Sequence, residues 1–70
     1  MREDKRIILN ALAVVLKMTR ACDDLQEITY EVTQGDDEYA VLTFSDRPTK
    51  RITITADSGI AIIKDVVIHL

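Results

Sequence analysis

Cys22 and His69 are the only cysteine and the only histidine in this chain, and neither stands where chemistry needs it. A catalytic thiol requires a base within reach and a positive environment. Cys22 is followed by Asp23-Asp24, which bring negative charge, and it falls on the apolar arc of an expected helix, the setting of a buried structural thiol. His69 is expected to be solvated, on the polar side of a final helix. One residue of each type excludes both a disulfide within the chain and a Cys/His zinc site. Asp57-Ser58-Gly59 offers a serine at a strand-to-helix turn, a loose echo of a nucleophile elbow. No glycine precedes that serine, and the only base would sit about three turns away. A helix cap explains Asp57 and Ser58 without catalysis. Gly35-Asp36-Asp37-Glu38 gathers three consecutive carboxylates, but a calcium loop spreads its ligands over about twelve residues in a set order, so these acids are expected to face water. No catalytic, metal-binding or cofactor-binding residue, no cofactor and no enzyme are therefore expected.

Two basic groups remain. Arg47, Lys50 and Arg51 crowd one hairpin, and Arg6, Lys17 and Arg20 line one helix stripe. Together they could meet phosphates. Against this, the net charge is −3, the aromatic residues are only Tyr30, Tyr39 and Phe44, and no helix-turn-helix or glycine-rich loop is visible. Nucleic acid is not the expected partner on these grounds, and the alternative is a solvated rim.

The elements that must position these residues follow from periodicity. Residues 4–22 read as a helix that Asp4 could cap, with Arg6, Asn10, Lys17, Arg20 and Asp24 on one narrow polar stripe. Nearly everything else on it is apolar, over an arc of roughly 240° where a surface helix needs about 100°. One sheet cannot cover such an arc, so a second helix or a second subunit must help. Residues 27–33 alternate strictly, with Ile28, Tyr30 and Val32 inward. A Gly35-Asp36-Asp37 turn leads to a strand over 38–44, with Ala40, Leu42 and Phe44 on one face and Tyr39, Val41 and Thr43 on the other. Pro48 marks a second turn, and 50–55 make a third strand with Ile52 and Ile54 inward.

Residues 58–70 read two ways. Ile60, Ile63, Val66, Val67 and Leu70 sit at helical spacing with Asp65 and His69 opposite, yet the Ile/Val content favours a strand. The helix is preferred because the first helix needs a partner. The expected fold is α+β, in the order α-β-β-β-α, a three-stranded antiparallel meander with both helices on one face. One helix with a four-stranded antiparallel sheet is the alternative.

The run KRITITADSGIAIIKDVVIHL, residues 50–70, resembles the ends of small uncharacterised proteins of Firmicute prophages and conjugative elements. Those finish in a strand, an Asp-Ser-Gly turn and a helix. Ala56-Asp57-Ser58-Gly59-Ile60-Ala61 and Lys64-Asp65-Val66 carry the likeness, and Leu12 to Asp24 matches more loosely. The resemblance implies a helical C-terminal segment and a mobile-element origin, and it implies no activity.

Seventy residues suit one compact domain of marginal stability. With 47% hydrophobic residues, an apolar core or oligomerisation must stabilise it. A lone thiol points to a reducing compartment, and the expected location is cytoplasmic. The apolar run after Arg6 imitates a signal peptide, but Asn10 interrupts it and no small-residue cleavage site follows. It is too short to span a bilayer, and no membrane partner is expected. Charge is strongly segregated: residues 1–20 hold five Lys/Arg and two acids, 21–46 hold eight acids and no Lys/Arg, and 47–70 hold four Lys/Arg and two acids. Opposite blocks in neighbouring elements attract each other.

The expected function is that of a non-enzymatic accessory or protein-protein interaction module acting through a protein partner or as a homodimer. Ile7, Val14 and Met18 on the outer flank of the first helix, and a small Tyr39/Val41 island on the sheet, are the expected contact surfaces. Two alternatives stay open. One is an inhibitor whose acidic segment, Asp23 to Asp46, occupies a basic site on a host protein. The other is a small nucleic-acid-binding accessory using the Arg47–Arg51 hairpin.

Overall fold

A computed structural model, which describes residues 2–55 and 58–70, arranges the chain as α1 (Arg2–Leu16), β1 (Leu25–Val32), β2 (Glu38–Phe44), β3 (Lys50–Thr53) and α2 (Gly59–Ile68). The strands form one antiparallel sheet in the order β1-β2-β3. Both helices lie on the face that carries Ile28, Leu42 and Ile52, so the fold is the expected α-β-β-β-α arrangement. The core is aliphatic: Leu9, Leu12 and Leu16 of α1 meet Leu25 and Ile28 of β1, Ala40 and Leu42 of β2, and Ile62 and Val66 of α2.

The strands follow their alternation closely, and the departures have local causes. β1 begins at Leu25 rather than Glu27, because a bulge between Leu25 and Glu27 lets Leu25 and Ile28, three positions apart, both face the core. β3 ends at Thr53, although the Ile54 amide still donates to the Glu38 carbonyl at 2.9 Å. In the β1–β2 turn the left-handed position falls on Asp36 (φ 62°), not on Gly35. Aspartate is among the residues that tolerate it. The Asp36 amide donates to the Thr33 carbonyl at 3.0 Å, and the Thr33 hydroxyl accepts from the Asp37 amide at 3.2 Å.

The helices depart further. α1 stops at Leu16, not at Cys22, and Asp4 lies inside it rather than capping it. From Met18 onward the amides reach back three residues, and the Thr19 hydroxyl donates to the Leu16 carbonyl at 2.7 Å. That side chain competes with continued helix for the same backbone group. The following turns swing Cys22 into the core, so it is buried (1% exposed) but from a turn, not from a helix face.

α2 is helical as expected, and the Ser58 hydroxyl caps it by accepting from the Ala61 amide at 3.2 Å. Asp57, the other expected cap residue, lies outside the described residues. The buried face shares only Val66 with the one the spacing suggested. Ile62 and Val66 are fully buried, whereas Ile60 is 83% exposed and Ile63, Val67 and Leu70 are only partly covered. A helix apolar on almost every side does not declare its inner face, and here packing decides it. Gly59 lies close against α1: a Cβ there would stand 3.1 Å from Ile8 Cδ1.

Candidate interaction surfaces

The residues first suspected of chemistry are dispersed by the fold. Ser58 and His69 occupy opposite ends of α2, roughly 16 Å apart along the axis. The Ser58 oxygen is used as a cap, while His69 Nδ1 stands 2.7 Å from the Asp65 carbonyl. Glu38 turns inward, away from Asp36 and Asp37, which splits the acidic triplet. No group of three His, Cys, Asp or Glu side chains that could hold a metal occurs among the described residues.

The basic hairpin is largely engaged by its own chain. Arg47 donates to both Asp24 carboxylate oxygens at 3.1 Å and to the Ala21 carbonyl at 2.8 Å, and its guanidinium lies 3.9 Å over the Phe44 ring. Arg51 donates to Glu31 and lies 4.4 Å over the Tyr39 ring. Tyr39 and Val41 are half-buried, and Arg51 overlies the Tyr39 part of the suspected island. These ion pairs, and that of Lys5 with Glu38, each join a basic block of the sequence to the acidic block. The segregation of charge thus works inside the fold, holding loops and strands together.

Lys5 was no candidate from the sequence, and Glu38, expected to face water with Asp36 and Asp37, instead turns in to meet it. Lys5 is only 4% exposed, and its ammonium donates to Glu38 Oε1 at 2.6 Å; the Tyr30 hydroxyl donates to the same oxygen. Two signals were present. Lys5 precedes Leu9 by one turn on the α1 face that also carries Leu12 and Leu16, and Glu38 has the parity of Ala40 and Leu42.

The most extensive exposed feature is the outer surface of the two helices. On α1, Leu9, Leu12 and Leu16 point at the sheet. Ile7 and Val14 then point nearly straight outward, and Ile8, Ala11 and Val15 face α2. On α2, Ile60, Ile63 and Val67 turn toward the same side. Ile8, Ala11, Leu12, Val15 and Ile63 line an almost wholly apolar groove of about 380 Å³ between the helices. Ile7, Val14, Val15, Met18, Ile60, Ile63 and Val67 are all substantially exposed around it. A contiguous apolar surface of this kind, from Ile7 (63% exposed) to Ile60 (83% exposed), is the mark of an interaction site. No helix among the described residues is long and apolar enough to cross a membrane.

Comparison with protein-family models, with curated proteins and with solved structures returned no match. The fold and its surfaces define a small α+β domain with an apolar two-helix face.

Proposed function

We propose that this chain is a non-enzymatic interaction module whose working surface is the outer face of α1 and α2, and that this face closes on a second copy of the chain. One observation carries the reading: large apolar side chains of both helices stand exposed around an almost wholly apolar groove between them, which a second copy's helices would cover. A two-fold axis through the groove would set each copy's Ile7, Val14 and Val15 against the other's Ile60, Ile63 and Val67, and would stack the molecule as sheet, helices, helices, sheet. The committed guanidinium groups of Arg47 and Arg51 favour this reading over a phosphate-binding hairpin.

Val15→Asp tests it. Valine and aspartate have similar helix propensities, and a carboxylate in the last turn of α1 opposes the helix dipole by about 0.3–1 kcal/mol, too little to unfold a lone monomer. In a dimer the same carboxylate is buried at the contact. Conversion of a dimer to a folded monomer by Val15→Asp supports the reading. A wild type that is monomeric at high micromolar concentration overturns it.

A further inference from the structure

The side of the molecule beyond β3 carries a second surface of different character. β3 is an edge of the sheet. Ile54 donates its amide to Glu38, and Ile52 is paired with Ala40 in the same register. Bonding residues alternate along an antiparallel pair, so the N–H and C=O groups of Arg51 and Thr53 point away from β2, and no strand among the described residues lies beyond them. α2 packs only loosely over β3. A cleft of about 570 Å³ opens there, lined by Lys50, Arg51, Thr53, Thr55, Asp65 and His69. Asp65 Oδ2 is buried and has no hydrogen-bond partner among the described residues. A carboxylate oxygen withdrawn from water with no donor is costly, and such a group calls for one. The cleft thus combines an open strand edge, which asks for an extended backbone, with a lining carboxylate, that of Asp65, to which no described residue donates.

We propose that this cleft binds an extended peptide segment of another protein, added as a fourth strand on β3, with a lysine or arginine turned toward Asp65. Main-chain bonds to Arg51 and Thr53 supply affinity without regard to sequence, and the side chain at Asp65 supplies the choice. Lys50 has no ion pair among the described residues. It stands on the helix-facing side of β3 near the C-terminal end of α2, which favours an acidic peptide residue near the basic one. The helix face is not involved, so the two surfaces are independent.

The test uses a phage-displayed library of random linear peptides, selected on the full chain, with the most enriched peptide then synthesised. The expected result is a motif with Lys or Arg at one fixed position, and slowed hydrogen exchange at the Arg51 and Thr53 amides when the peptide binds. Thr53→Pro removes an outward N–H while leaving the inward ladder intact, and it should weaken binding about tenfold, the worth of one well-made hydrogen bond. Asp65→Asn should keep the fold and abolish the basic preference, which guards against a proline variant that fails to fold. Absence of any enriched peptide overturns the proposal. So does binding unaffected by Thr53→Pro, binding lost with Val15→Asp instead, or loss of self-association with Thr53→Pro, which would give the edge to a second copy.

Discussion

Replacing Glu38 by leucine should separate the buried Lys5 ammonium and the Tyr30 hydroxyl from the acceptor they share. Removing one member of a fully buried ion pair costs about 3–5 kcal/mol. The Lys5 side chain is 5% exposed, but that of Glu38 is 22% exposed, so water can partly replace the carboxylate and the expected loss is about 2–3 kcal/mol. A domain of this size is stabilised by roughly 4–10 kcal/mol. The melting temperature should accordingly fall by about 8–20 °C. Lys5→Met removes the charge and leaves Glu38 with Tyr30 at a partly wetted site, so it should cost about 1 kcal/mol. The double variant Lys5→Met/Glu38→Leu should be more stable than Glu38→Leu alone, because no buried ammonium remains. Urea unfolding of all four proteins at one fixed protein concentration gives the coupling energy of the cycle. Losses that add to within about 0.5 kcal/mol would refute the reasoning, since they would mean that Lys5 and Glu38 do not interact in solution.

Two further outcomes are expected. Cys22 should react slowly with a thiol reagent in the native protein and fully in denaturant, because it is closed into the core; labelling at equal rates in both would place the thiol at the surface. Ser58→Ala should cost about 1 kcal/mol in thermal unfolding through loss of the α2 cap, and an unchanged midpoint would show that the cap contributes nothing.

The sheet was legible in the sequence because alternation encodes it directly: Ala40, Leu42 and Phe44 face the core as their parity requires. The bulge at Leu25 was not legible, since an inserted residue breaks the period by which a strand is recognised. The two helices were legible as elements but not in their details. The Thr19 hydroxyl bonds the Leu16 carbonyl where α1 ends, and the inner face of α2, apolar on nearly every side, is chosen by tertiary packing. Periodicity carries neither. The exposure of Ile7, Val14 and Met18 followed from the excess apolar arc of α1 alone. The groove between Val15 and Ile63 did not, because it exists only once α2 has been rotated onto Ile62 and Val66. The Lys5–Glu38–Tyr30 contact needed three elements to be placed before its members could be seen together.

The central claim, that the outer face of α1 and α2 is a self-complementary interface, is tested most directly by sedimentation velocity of the wild-type chain from low to high micromolar concentration. A species of twice the 7.9 kDa chain mass, dissociating on dilution and absent from Val15→Asp, is the result expected. A single compact species of one chain mass across the whole range would contradict it.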